Sequence, residues 1–233
     1  PVRGRLRRGV RTCLNWSGGK DAALALSSLL DDAQSHVVRL LTTVSTEYDR
    51  STTHGVRREL YDEQAAAIGL PLQTVELPKG VTDKQYAERM RTVHRELAEA
   101  GIDAVAFGDV FLDDVREYRE ERLATVPVEG VWPLWGRDTT DLVEELFDRG
   151  FEATVVCVDD DVLDGSFVGR PFDRAFIDDL PPDIDPAGEH GEFHTFVTNG
   201  PTFDRPVAVT RGERVTRSSP GGTFHYCDLV PCG

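Results

Sequence analysis

A run from Val10 to Trp16, apolar apart from a few polar positions, stops at Ser17, Gly18 and Gly19 and gives way to the helix formers Ala22, Ala23, Leu24, Ala25 and Leu26. A strand, a tight glycine turn and a helix start are expected. The first backbone N–H groups of a helix have no intrahelical partner, and the helix dipole adds partial positive charge there, so such a turn suits a phosphate. Glycines let an anion come close to the backbone because no Cβ intervenes. A glycine pair alone would merely join strand to helix. Ser17, Lys20 and Asp21 add a hydroxyl donor, a mobile cation and a carboxylate able to hold a divalent metal. The loop is not a Walker A sequence, which would need Gly in place of Leu14 and Ser or Thr in place of Asp21, and the GxGxxG of dinucleotide binding is absent.

Downstream, strand-like and helix-like segments alternate. Val37 to Val44 is an apolar strand, Val56 to Ile68 a helix stopped by Gly69, and Leu72 to Leu77 a further strand. Thr82 and Gln85 have capping-box spacing. Tyr86, Met90, Val93 and Leu97 then recur at helical intervals as far as Gly101, and Ile102 to Phe107 reads as the next strand. Repeated βα units predict a doubly wound, mainly parallel α/β sheet with its ligand at the carboxyl ends of the strands. Three polar loops fall at those ends: Ser17 to Asp21, Ser45 to Gly55 with Thr53 and His54, and Gly108 to Glu120 opening on Gly108 and Asp109. Each could be a turn, but their common placement argues for one site.

From about Val126 the pattern changes to a loop, a helix capped by Asp138 and a strand from Ala153 to Val158. Pro181 to Pro186 reads as a loop, Pro206 to Arg217 as a hairpin turning at Arg211, Gly212 and Glu213, and Thr223 to Val230 as one more strand. A doubly wound domain over residues 10–125 and a smaller α+β domain over 126–233 are expected.

Charge narrows the partners. Asp and Glu total 41 against 26 Lys and Arg, a net charge of −15, and only Lys20, Lys79 and Lys84 are lysines. An acidic, lysine-poor surface fits a protein kept soluble at high salt, a basic partner being the other explanation. Affinity for nucleic-acid phosphates needs clustered Lys and Arg, so a broad nucleic-acid face is not expected. Arg3, Arg5, Arg7, Arg8 and Arg11 do cluster. With no apolar stretch of about 7–15 residues beside them, they read as a solvated tail and not a signal peptide. No apolar run approaches the roughly 18 residues of a membrane span, and a cytoplasmic protein is expected. Cys13, Cys157, Cys227 and Cys232 are scattered, as suits reduced thiols.

Two further segments concentrate reactive groups. GEHGEFHT, Gly188 to Thr195, holds Glu189, His190, Glu192 and His194. HExxH would need Glu directly after His190, where Gly191 stands, and two glycines disfavour a helix presenting both imidazoles. The segment reads as a glycine-shaped polar loop that grips a substrate. FGDVFLDDVREYRE, Phe107 to Glu120, has the charge pairs of a solvated helix, yet its place after a strand end favours a site.

SGGKD after a strand resembles the PP-loop of the ATP pyrophosphatases, with Ala22 where the usual form has a second Ser. SGGKD, THGVR, FGDVFLDDVREYRE, WPLWGRDT and GEHGEFHTF occur in the order seen in the diphthine–ammonia ligase family, over Cys13 to about Pro206. Related members often carry Cys before the last motif, where this chain has Ala187 and Gly188. The resemblance implies an AMP-forming carbon–nitrogen ligase that uses ATP, Mg²⁺ and ammonium to amidate diphthine on translation elongation factor 2, through an acyl adenylate. It implies Ser17, Gly18, Gly19, Lys20, Asp21, His54, Gly108 and Asp109 on the ATP side, with Lys20 and Asp21 catalytic and Asp21 holding Mg²⁺. On the diphthine side stand Tyr118, Glu120, Glu189, Glu192 and His194. A tRNA-modifying PP-loop enzyme and a nucleotide-binding regulator without turnover are the alternatives.

Overall fold

The structure, a computed structural model, describes residues 9–51, 54–219 and 222–232; Arg3, Arg5, Arg7, Arg8 and Thr53 lie outside them. Five strands, β1 (Val10–Asn15), β2 (Ser35–Ser45), β3 (Leu72–Leu77), β4 (Ala104–Ala106) and β5 (Glu129–Val131), form a parallel sheet in the order β3-β2-β1-β4-β5. The helices between them are α1 (Lys20–Asp31), α2 (Arg58–Ile68), α3 (Asp83–Glu99) and α4 (Asp113–Leu123). After these come α5 (Thr139–Asp148), β6 (Glu152–Asp159), a 3₁₀ turn (Gly165–Phe167), α6 (Arg174–Asp178), β7 (Phe193–Asn199), β8 (Val209–Ser219) and β9 (Gly222–Pro231). The last four strands form an antiparallel sheet ordered β7-β6-β9-β8.

Local chemistry accounts for the helix ends. The Thr82 hydroxyl accepts from the Gln85 N–H while the Gln85 side chain accepts from the Thr82 N–H, closing the capping box on α3. Asp138 accepts from the Thr140 and Asp141 N–H groups at the start of α5. Gly69, with φ 77°, ends α2 in the left-handed region that costs glycine little.

Three details differ from the expected layout. The strand expected over Ile102 to Phe107 is regular only at Ala104–Ala106, although the Phe107 N–H still reaches the Val131 carbonyl at 2.9 Å. β5 pairs with β4 in the first sheet, so that sheet extends past residue 125. The hairpin does not turn at Arg211, Gly212 and Glu213. There the β8–β9 register shifts, with Arg211 opposite Leu229 and Arg214 opposite Cys227, an extra residue that marks a β-bulge, and pairing runs on to Ser219 opposite Gly222.

Both faces of the parallel sheet are covered, as an all-parallel sheet requires. One face packs Cys13, Leu41, Val75 and Val105 against Met90, Val93 and Leu97 of α3. On the other, Leu14, Leu40 and Ala106 share a continuous core with α1, α2 and the antiparallel sheet, including Val155, Phe176, Phe193, Phe196 and Leu229. The two modules therefore share one apolar interior.

Polar links fasten them at the glycine loop. The Val197 N–H donates to the Gly18 carbonyl at 2.9 Å. Gln64, fully buried on α2, donates from Nε2 to both the Gly18 and Val197 carbonyls (3.0 and 2.7 Å) and accepts from Trp16 Nε1 at 2.9 Å. A second link joins β9 to the segment between β2 and α2: Asp228 accepts from Arg57 Nε and Nη2 (3.1 and 2.7 Å) and from Arg50 Nη1 (2.7 Å). Tyr226, two residues back on the same face of β9, packs on Gly55, where a Cβ would lie 2.8 Å from the ring.

Gln64→Leu strands the buried Trp16 N–H and Val197 carbonyl. It is expected to lower stability by about 2–3 kcal/mol, measured as a fall in the denaturant midpoint with an unchanged slope.

Candidate active site

In the strand order β3-β2-β1-β4-β5, connections from β1 run to one side and return to β4 on the other, making a topological switch point between β1 and β4. Ligands of open α/β sheets bind beyond the carboxyl ends of the strands at such a point. A cavity of about 500 Å³ lies there, walled by the glycine loop, Thr42 and Thr43 of β2, His54, Gly108 and Asp109 after β4, Arg119 of α4 and the loop from Gly188 to Thr195.

The start of α1 is built to meet an anion. Gly19 is its N-cap and provides no side-chain cap. The Lys20 N–H donates to Thr195 Oγ1 at 3.0 Å. The N–H groups of Asp21 and Ala22 have no partner among the described residues, and both residues line the cavity. Ala22 brings no hydroxyl to this wall, which leaves the anion to backbone N–H groups and Ser17. Gly18 has φ 73°, and a Cβ there would sit 2.7 Å from Gln64 Oε1 and 2.8 Å from the Tyr61 ring. Its carbonyl turns away onto Gln64 and Val197, so Gly18 shapes the loop and does not line the cavity. At Gly108 a Cβ would lie 3.0 Å from the Asp21 carbonyl carbon, so only glycine lets the end of β4 reach α1 this closely.

Charge is arranged in pairs. Lys20, only 3% exposed, holds both Asp21 carboxylate oxygens at 2.8 and 2.9 Å and lies 5.6 Å from the Phe193 ring centroid. Asp109 is gripped by Arg119 Nε and Nη2 (2.7 and 3.0 Å) and by Trp132 Nε1 (3.3 Å). Glu189 differs: its carboxylate accepts only from the Val110 N–H at 3.3 Å, and no cation lies within ion-pair distance among the described residues. Burial and then the negative charge of Asp21 push its pKa up to about 8. The His54 and His194 rings meet at a tilt of 46°, with centroids 4.4 Å apart. Burial, followed by the charge of Lys20, lowers His194 to about 4; burial, then His194 and Lys20, holds His54 well below the usual imidazole range. Both imidazoles are therefore neutral at pH 7.

Ser17, Gly19, Lys20, Asp21, His54, Gly108, Asp109, Glu189 and His194 meet in one cavity. Tyr118, Glu120 and Glu192 are not brought into its wall. Tyr118 lies on the exposed side of α4 beneath Arg122, and Glu120 pairs with Arg116 at 2.7 Å. Glu192, 6% exposed, accepts from the Asp185 and His190 N–H groups (3.3 and 2.9 Å) and so shapes the loop. Sequence reasoning did not single out Arg119, Thr195 or Gln64. A mobile cation ten residues after Asp109 carries no distinctive spacing, and a buried glutamine on a helix carries no motif.

Asp21 places a carboxylate at the cavity wall, and Mg²⁺ takes one or two carboxylates together with substrate phosphates. Among the described residues no cluster of three or more His, Cys, Asp or Glu forms a metal cage of its own.

An uncapped helix start, a buried lysine and a glycine loop at a switch point define a nucleotide-binding α/β protein. Residues 10–128 match the family described as diphthamide synthase N-terminal domain, and residues 138–225 match diphthamide synthase C-terminal domain. The chain belongs to the diphthamide synthase family, whose members are ATP-dependent ligases. It is 25% identical over 226 residues to a diphthine–ammonia ligase of Danio rerio, covering 87% of each chain. It is 24% identical over 226 residues to that of Bos taurus, covering 87% of this chain and 84% of the relative. A U34-tRNA thiolase from Methanococcus maripaludis, solved with its 4Fe-4S cluster, shares 20% identity over 62% of this chain and 60% of its own, with a TM-score of 0.38. No helix among the described residues is long and apolar enough to cross a membrane.

The neutral imidazoles give stability a pH dependence of known sign. Their unfolded-state pKa is near 6.5 and the folded values are lower, so the unfolded chain takes up protons first on acidification. Their contribution to stability is expected to be full above pH 6.5 and to decline toward pH 4, while Glu189, shifted the other way, opposes it. Buried His94, also lowered to about 4, adds to the slope. Denaturant titrations at neutral and mildly acidic pH should show a shallower decline for His194→Phe.

Proposed function

We propose that this chain amidates the diphthine carboxylate of translation elongation factor 2 with ammonia at the expense of ATP, giving diphthamide, AMP and pyrophosphate. A carboxylate resists attack because its carbonyl is electron-rich and its oxygen is a poor leaving group. The carboxylate oxygen attacks the α-phosphorus of ATP, the bond to the bridging oxygen breaks, and pyrophosphate departs. Ammonia then displaces AMP from the acyl carbon. The observation that carries this reading is the pair of unpartnered N–H groups at Asp21 and Ala22, sharing a cavity with buried Lys20 and with Glu189 and His194 from the second module.

Negative charge accumulates on the phosphates during the first step, so fixed donors and a desolvated cation lower its barrier. Ser17, Gly19 and Lys20 take the phosphates, with Gly18 setting the loop's shape. His54, Gly108 and Asp109 complete the nucleotide side. Mg²⁺, held by Asp21 directly or through water, would supply further charge neutralisation. Lys20 and Asp21 form an ion pair; a triphosphate would give Lys20 a stronger partner and free Asp21 for Mg²⁺. Glu189 and His194 reach the cavity from the second module, on the acceptor side, where the Phe193 ring suits the quaternary ammonium of diphthine. A protein substrate of the translation machinery sets the reaction in the cytoplasm.

The test is incubation of the purified chain with ATP, ammonium and diphthine-bearing elongation factor. AMP, pyrophosphate and a mass change on the factor should appear together. Turnover without that mass change would overturn the substrate assignment. Lys20→Ala is expected to lower kcat on the order of 10²- to 10³-fold, and Asp21→Ala to suppress AMP release while the fold survives by circular dichroism.

A further inference from the structure

We infer that Glu189 is the base that takes the proton from ammonium before nitrogen attacks the acyl adenylate. The inference rests on the amidation reading above and assigns one step within it. Three carboxylates face the cavity, and two already have a cation: Asp21 holds Lys20 and Asp109 holds Arg119. Glu189 faces the same space with one weak backbone donor. Its position is fixed from behind, since its own N–H donates to Asp185 Oδ2 at 3.1 Å and Gly188 takes φ 63° to aim it inward. A Cβ at Gly188 would stand 3.0 Å from the Phe193 carbonyl oxygen, so that turn belongs to glycine.

In its ionised form the Glu189 carboxylate has no ion-pair partner among the described residues, and ammonium supplies one. The competing bases are weaker candidates. His54 and His194 are buried and share the cavity with positively charged Lys20, and burial first and then that charge disfavour a proton on either ring. His190 packs edge-on to Phe111, with centroids 5.2 Å apart. The groups facing Glu189 are thus Lys20 and Asp21 of α1, Asp109 with its Arg119 partner, and the imidazoles of His190 and His194.

The step balances. One N–H bond of ammonium breaks and its proton passes to the Glu189 carboxylate oxygen. The freed lone pair forms the C–N bond at the acyl carbon. The C–O bond to AMP then breaks with its electron pair leaving on AMP, and a second proton leaves nitrogen for water. Glu189 afterwards returns its proton to solvent. No oxidant or further reactant is needed.

The two half-reactions separate the inference from the reading beneath it. With diphthine-bearing elongation factor and no ammonium, the wild-type chain should exchange labelled pyrophosphate into ATP. Absence of exchange would overturn the adenylate reading itself. For Glu189→Gln, exchange should persist while amidation at neutral pH falls on the order of 10²-fold. Amidation by the variant should recover as pH rises and free ammonia replaces ammonium, and Glu189→Asp should restore part of the neutral activity. Amidation by Glu189→Gln equal to wild type would overturn the inference. So would parallel loss of exchange and amidation in a folded variant, or a deficit that stays constant with pH.

Discussion

The carbonyl of Gly18 is the point on which the site depends. It accepts from the Val197 N–H of β7 and from Gln64 of α2, and so turns inward, away from the cavity. The peptide units after it then open the start of α1 toward the space beyond β1 and β4. A buried carbonyl left unpaired would cost about 1–3 kcal/mol; here the first module supplies one donor and the docked second module the other. The second module therefore meets the cavity in two ways: it supplies lining groups such as His194, and its Val197 N–H fastens the glycine loop.

Much of the fold was legible because local chemistry and global topology agree. The glycine turn, the α3 capping box, the Asp138 cap and the Gly69 stop each announce an element end. The failures have physical causes. Arg211, Gly212 and Glu213 have the composition of a turn, but a glycine between polar residues serves a bulge equally well, and only pairing with Leu229 and Cys227 decides. β5 is three residues long, so no periodicity can reveal it, and its membership of the first sheet comes from β4 alongside.

The site was legible where residues come from loops that the βα pattern places at strand ends. Ser17, Lys20, Asp21, His54, Gly108 and Asp109 fall into this group, and the polar loop before β7 and the start of that strand bring Glu189 and His194 to the same space. Tyr118, Glu120 and Glu192 show the limit of motif reading. A motif names a segment, but which side of α4 faces inward depends on helix phase, and Arg119 takes the inward position between Tyr118 and Glu120. Glu192 illustrates a different limit: two backbone donors claim its carboxylate, leaving the role of a spacer that shapes the loop for its neighbours.

The carboxylate of Asp228 joins residues separated by most of the chain, since Arg50 and Arg57 both close on it. A ribosome releases Arg50 and Arg57 long before Asp228, and the same holds for Gly18 and Val197. The first module thus cannot complete its phosphate loop or settle its His54 segment while synthesis is under way, although N-terminal units usually fold first. The links that fasten the glycine loop and the segment around Gly55 to the second sheet therefore close only after the late strands have emerged.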